Sequence, residues 1–309
     1  MRMLFASDLH RGITESFHVI NTLRVSTAVL TGVVQKEVGA GATDRVLEAL
    51  HSVPDGVSGQ NLRAFTSKPA HERDSLLAEI WLFNIFGRYE AWTDSLPLET
   101  SDRGCHFPSR GSGANSGSAG FNETFDGLTT VHSLSTAFAS SIVHDYRYLG
   151  SRIDDALIVY RLFKECRNSL THSGGRAGER VEQWGVSAST CAADLYVGHG
   201  GILADLPILT KGDRVVLNLE QVRAFVALLT RIAFTIDTIL LTSSIGHSEI
   251  LYRWQKNLGS RPIPVRMATL RRGAWIGSRL QPLDIPVPDQ SSDLIPYLEE
   301  SGLIKVIQN

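Results

Sequence analysis

Apolar residues recur at intervals of three and four along most of this 309-residue chain, and that spacing commits it to helices packed against one another. The longest stripe is Val222, Phe225, Val226, Leu229, Ile232, Ala233, Ile236 and Leu240. It follows Asn218, an N-cap residue with Gln221 three positions on, which is a capping-box arrangement. From His71 to Ser95 the apolar set is Leu77, Ile80, Trp81, Phe83, Ile85, Phe86, Tyr89 and Trp92. A face that broad predicts the central helix of a bundle. Ile13 to Val38 reads as one long helix, and Thr43 to Leu50 as a short one that ends before the turn cluster His51 to Gly56. Two more helices are predicted over Thr129–Tyr148 and Ser151–His172, the second stopped by Ser173-Gly174-Gly175.

The period changes in three places. Leu206–Leu209, Thr210–Asp213 and Arg214–Leu217 read as strand, turn and strand, a small β-hairpin before the last long helix. Thr100 to Gly127 carries a Gly/Ser run, GSGANSGSAG at 111–120, expected to be a mobile loop. Residues 250–280 hold Arg253, Lys256, Arg261, Arg266, Arg271, Arg272 and Arg279 without an acid, a local charge of +7 with Trp254 and Trp275 among them. The tail beyond turns acidic and ends in DLIPYLEESGLIKVI, which reads as a small docking element. The expected architecture is therefore mainly α. An N-terminal helical segment (1–69) precedes a helical bundle (70–248), and a basic then acidic C-terminal extension (249–309) follows it.

Composition narrows the function classes. Lys and Arg total 30 against 32 Asp and Glu, a net of 30 − 32 = −2, which argues against coating nucleic acid by bulk charge. Three cysteines, none in CxxC spacing, suggest a reducing compartment without structural zinc. The stretch Val222–Leu241 is interrupted by Arg223, Arg231 and Asp237, so no membrane span is expected. The apolar run at the N-terminus is too short for a signal peptide, and a cytoplasmic protein is the expectation.

Two local strings resemble metal sites but lack the companions such sites need. Asp8-Leu9-His10 is similar to the first motif of calcineurin-like phosphoesterases, yet no GNH motif follows, and it is expected to be a polar N-terminal loop. His144-Asp145 has no identifiable partner ligands for an HD phosphohydrolase. No metal and no cofactor are expected.

The informative string is Arg167-Asn168-x-x-x-His172 on the helix stopped by Gly174-Gly175. Ala156, Val159, Phe163, Cys166 and Leu170 mark that helix's buried stripe, and Arg167 lies only about 60° from its centre. A guanidinium at the edge of a core needs a partner. Asn168 and His172, four apart, share a face, and a His in the last turn meets the negative end of the helix dipole. Arg, amide and imidazole together suit phosphodiester chemistry without metal.

Arg167-Asn168-x-x-x-His172 with the Gly-Gly stop resembles the signature of HEPN domains (higher eukaryotes and prokaryotes nucleotide-binding). The upstream helix Trp81-Leu-Phe-Asn-Ile-Phe-Gly-Arg-Tyr-Glu-Ala-Trp92 is similar to that of the RiboL-PSP-type branch, as are the hairpin and long apolar helix. The resemblance covers roughly residues 70–248. It implies a metal-independent endoribonuclease, a homodimer whose two motifs meet in one cleft, producing 2′,3′-cyclic phosphate and 5′-hydroxyl ends. Arg167 would bind the scissile phosphate, His172 would serve as general acid/base, Asn168 would orient His172 or contact phosphate, and Glu90 would pair with Arg167. Arg253, Lys256, Arg271 and Arg272, with Trp254 or Trp275 for base stacking, would add contacts to RNA. Family members act as toxins or antiphage effectors under an inhibitory or activating protein partner. The alternative is a non-catalytic RNA- or protein-binding module. Five residues place Arg167 and His172 about 140° apart on an ideal helix. Either the chain leaves the helix at Thr171, or the Arg side chain wraps round, or the pair acts across a dimer axis, which is the expected solution. Members controlled by adenylylation carry a Tyr two residues after the His; Gly174 stands there in this chain.

Overall fold

A computed structural model describes residues 3–51, 58–98, 125, 127–198, 205–266 and 269–307. The Gly/Ser run at 111–120 and most of the turn cluster after His51 lie outside the described residues. The helices are α1 (Ser7–Gly39), α2 (Asp44–His51), α3 (Gly59–Thr66), α4 (Ala70–Ser95), α5 (His132–His144), α6 (Ile153–His172), α7 (Glu179–Gly198), α8 (Leu219–Leu241), α9 (Ser244–Leu258), α10 (Thr269–Leu280) and α11 (Leu294–Glu300). Two three-residue strands, β1 (Ile263–Val265) and β2 (Ile304–Val306), pair in parallel with Ile263 opposite Ile304. The chain is mainly helical.

The main core lies where α4, α6 and α8 meet. Phe225 of α8 is its hub, with ring centroids 4.5 Å from Phe163 and 5.2 Å from Phe86, while Tyr160 lies 5.7 Å from Phe86. Burying each of these rings is worth about 2–3 kcal/mol, and aromatic contact adds about 0.5–1.5 kcal/mol per pair. Asn218 caps α8 as expected: its side chain accepts from the Gln221 amide at 2.8 Å, and the Gln221 side chain accepts from the Asn218 amide at 3.0 Å.

Four sequence expectations are corrected. The hairpin at 206–217 does not form. Its turn does: Gly212 has φ +96°, and the Asp213 carboxylate accepts from the Thr210 amide and hydroxyl at 2.8 and 2.7 Å. The second arm pairs instead with the connection after α6, through Val215 N–H to Gly175 O and Ala177 N–H to Asp213 O, both 2.8 Å. Two four-residue arms bury too little to hold each other, and Pro207 removes a donor from the first. Next, α8 is not the last long helix, since α9 and α10 follow it. The Asp8-Leu9-His10 string is not a loop but the start of α1. Finally, α7, of 20 residues, and α3 were not anticipated at all.

A second core joins α5, α9, α10 and α11. It is built from Leu134, Phe138, Ile142, Trp254, Ile276 and Tyr297, and it reaches the first four described residues through Leu4. The division at 249 drawn from composition falls inside α9. Basic residues there hid an apolar side: Trp254 is fully buried, so it is closed to base stacking. His247 ties α9 to α11, its Nδ1 3.0 Å from the Tyr297 hydroxyl.

Between the cores lies Asp237, completely buried about one turn from the C-terminal end of α8. Its carboxylate accepts the amide hydrogens of Leu4, Phe5 and Ala6 at 2.9, 2.5 and 2.8 Å, just ahead of α1. Trp92 Nε1 donates to Phe5 O at 2.8 Å and Arg253 Nη2 to Leu4 O at 3.2 Å, so α4, α8 and α9 all grip this segment. By length and composition α1 and α8 could each cross a membrane; 78% of the apolar window of α8 is buried inside the protein, against 17% of that of α1. Val19, Leu23, Val29 and Val33 leave α1 with an exposed apolar side that the sequence reading passed over.

Complete burial pushes the Asp237 carboxyl up to about 6, against the lowering effect of its three amide donors and of Arg147. The folded chain therefore holds this proton more tightly than the unfolded chain, and the group's contribution to stability falls as pH rises through that range. Asp237→Ala strands three buried amides, each worth about 1–3 kcal/mol. Chemical denaturation is expected to show a loss of about 3 kcal/mol or more near pH 4, narrowing as pH rises to about 6 and level above it. A pH-independent difference would show that the fold does not hold this proton more tightly than the unfolded chain.

Candidate functional site

The helix α6 begins with Asp154 and Asp155 in its first turn, where carboxylates meet the positive end of the helix, and ends with His172 in its last. Its stop is the Gly-Gly pair, with φ of +60° at Gly174 and +75° at Gly175, a left-handed succession that side-chain-bearing residues resist. Ser169 O accepts both the Ser173 and the Gly175 amides at 3.0 Å, which closes the helix end. Beyond it the 210–215 turn staples residues 175–177, and α7 then runs back along α6. The angle between the two helices is thus held by a fixed connection.

Between the ends of α6 and α7 lies an open groove of about 730 Å³. Arg167, Asn168 and His172 all line it, together with Lys164 from α6 and Arg180 from α7. Arg167 is largely buried, with 22% of its side chain exposed, and is held by Glu90 of α4, itself 20% exposed. Its Nη2 donates to Glu90 Oε1 at 3.1 Å and Oε2 at 3.2 Å, and its Nη1 to Asn168 Oδ1 at 3.3 Å. The guanidinium carbon also sits 5.8 Å from the Phe86 ring centroid. The partner that an Arg at the edge of a core requires is therefore Glu90; Glu165 instead lies 3.9 Å from Arg180. His172 is exposed to solvent at the groove's end.

The geometry bears on the angular separation of Arg167 and His172. The helix persists through Thr171 to His172, so unwinding does not bring them together. Both residues nevertheless line the groove within one chain. Tyr89, next to Glu90, is fully buried against Trp92 and Tyr160, with centroids 5.5 Å away in each case. Its hydroxyl has no hydrogen-bond partner among the described residues, and burial pushes its ionisation well above the usual range. Cys166, on the buried stripe of α6, is also pushed up, to about 12, by burial, which marks it as a core residue.

Arg253, Lys256, Arg271 and Arg272 do not line this groove. Arg253 is engaged by Glu249 at 2.6 Å and by the carbonyls of Asp284 and Leu4. Lys256 and Arg271 are exposed, with Lys256 Nζ 3.4 Å from the Tyr252 hydroxyl, and Arg272 is half-buried. Trp275 is half-buried, and the Arg279 guanidinium lies 5.7 Å from its ring centroid. The strings that resembled metal sites are otherwise engaged: Asp8 pairs with Arg11, Asp145 with Arg147 at 2.7 Å, and His144 Nδ1 lies 2.8 Å from Ser140 O. Among the described residues no three His, Cys, Asp or Glu side chains gather as a ligand set.

Sequence reasoning found the α6 wall of the groove and missed the other. The α7 wall carries a signal, Val181, Trp184, Ala188 and Leu195 at helical spacing, but Gly, Ser, Thr and Ala dilute it. Comparison with protein families, with curated proteins and with solved structures finds no match for this chain.

Glu90→Ala leaves Arg167 without its carboxylate and is expected to cost about 1–3 kcal/mol, against less for Glu90→Gln, which keeps an acceptor. Replacing Gly175 by Ala is expected to cost about 1 kcal/mol through its left-handed backbone. Thermal unfolding of the three variants checks both.

Proposed function

We propose that the chain is a HEPN-type, metal-independent endoribonuclease and that the α6/α7 groove is its active site. The observation that carries this reading is the convergence of Arg167, Asn168 and His172 on one open groove, with Arg167 braced from another helix by Glu90. In the proposed reaction an RNA 2′-hydroxyl, its proton taken by an imidazole, attacks the adjacent phosphorus. The bond to the 5′-oxygen breaks, and that oxygen leaves with a proton from an imidazolium. The products are a 2′,3′-cyclic phosphate and a 5′-hydroxyl. His172 serves as base or acid, and in a homodimer the two copies divide these roles. Arg167 stabilises the charge that develops on the non-bridging oxygens, a contribution that sites of this kind make at about 2.7–4 kcal/mol per donor. Glu90 keeps the guanidinium aimed, and Asn168 fixes it from the side.

The dimer, a regulatory protein partner and a toxin or antiphage role in the cytoplasm belong to the same proposal, and they rest on the resemblance to the family. Lys256, Arg271 and Arg272 are offered as RNA contacts outside the groove, with Arg253 the least available of the four. A second reading, a non-catalytic RNA- or protein-binding module, is favoured by one observation: Arg167 already spends both terminal nitrogens on Glu90 and Asn168, as a purely structural brace would.

Cleavage of tRNA and total RNA in excess EDTA decides between them. Wild type is expected to yield cyclic-phosphate ends, and His172→Ala and Arg167→Ala to lose at least about 100-fold in rate. Equal cleavage by all three proteins would remove the site assignment, and binding of RNA without cleavage by a folded wild type would favour the second reading.

A further inference from the structure

A second cavity opens where α1, α4 and α8 meet, apart from the α6/α7 groove, and shares no residue with it. Its volume is about 300 Å³, at the small end of the range for ligand sites. Most of its wall is apolar, with Phe17 of α1 and Trp81 of α4 in contact, ring centroids 5.9 Å apart. Thr14, Thr230, Tyr146 and three arginines, Arg147, Arg223 and Arg231, add polar groups, and among the described residues no acid lines it.

The arginines are not equivalent. Arg147 and Arg223 have carboxylates of their own, Asp145 at 2.7 Å and Glu220 at 2.8 Å. Arg231 sits on the buried helix α8 with 3% of its surface exposed, and among the described residues no carboxylate pairs with it. Its Nη2 donates to Tyr146 O, and its Nε has no acceptor among the described residues. Trp81, 2% exposed, likewise has an indole N–H with no acceptor among the described residues. A buried guanidinium without a counter-ion is among the costliest arrangements a fold can carry, and an orphaned buried N–H adds about 1–3 kcal/mol. Both residues line the same, mostly apolar hollow.

We propose that this cavity binds a small organic anion, a carboxylate or phosphate group carried on a flat apolar body. The anionic head supplies the counter-charge that Arg231 lacks. The flat body lies against Phe17 and Trp81, where aromatic faces accept it. The site is independent of the ribonuclease reading, since none of its residues belongs to the groove.

Calorimetric titration of the full chain tests this with two probes, adenosine 5′-monophosphate for a phosphate head and indole-3-acetate for a carboxylate head. Adenosine, indole and inorganic phosphate serve as controls. At least one of the two anions is expected to bind saturably below about 1 mM, with its neutral counterpart and inorganic phosphate at least about tenfold weaker. Ala227→Phe, which fills the cavity from α8 and leaves all three arginines in the chain, is expected to abolish binding, as is Arg231→Gln where far-ultraviolet circular dichroism shows it folded. His172→Ala is expected to bind as wild type does, which separates this site from the groove whether or not the groove cleaves RNA. Absence of binding by both anions, equal binding of the neutral counterparts, or unchanged binding in Ala227→Phe would overturn the proposal.

Discussion

A single buried carboxylate ties the two cores of this protein together. Asp237 sits about one turn from the C-terminal end of α8 with no exposure, and instead of a cation it takes three backbone amides from residues 4–6. Those residues divide between the cores: Ala6 packs in the first, Leu4 in the second, and Phe5 against both. The grip fixes where α1 starts and so how it lies across α4, which in turn shapes the cavity that Phe17 and Trp81 line. Burying a charge for this purpose is costly, and the gain is directional: three N–H groups converge on one point only if the chain ahead of α1 adopts one path.

The groove depends on a different kind of constraint. Nothing in α6 itself requires α7 to turn back beside it. The consecutive left-handed glycines reverse the chain, and the turn at 210–215, more than thirty residues further on, clamps the reversal in place through Gly175 and Ala177. Arg167 then reaches across to α4 for Glu90, so that side chains of two helices, Glu90 on α4 and Asn168 on α6, fix one guanidinium. A side chain so restrained keeps its position without a ligand, which is the preorganisation that charge stabilisation in a site requires.

Much of this was legible in residue patterns, and what was not has physical causes. The cores of α4, α6 and α8 were plain because large apolar side chains fall at strict helical spacing, and the caps at Asn218 and Gly174-Gly175 are local chemistry. The α6 wall of the groove followed from the same logic, down to the need of Arg167 for a partner. Where partners lie far apart in sequence, pattern failed. Arg214–Leu217 looks like half a hairpin, yet its mate is the loop after α6. The basic stretch from 250 to 280 looks like a solvated surface, yet Trp254 beneath the charges anchors a core, and Arg253 turns inward to Leu4. The helix α7 escaped notice because its buried residues, Val181, Trp184, Ala188 and Leu195, are widely spaced among Gly, Ser, Thr and Ala.

The clasp around residues 4–6 also has a consequence for how the chain is made. Leu4 and Asp237 are 233 residues apart, so at a translation rate of about 5–20 residues per second the socket is synthesised roughly 10–50 s after the segment that fills it. Throughout that interval α1 emerges with its apolar side bare and its leading end undocked. The early part of the chain must wait in the cell for the later part, exposed to chaperones and to its own neighbours on a polysome, before either core can close.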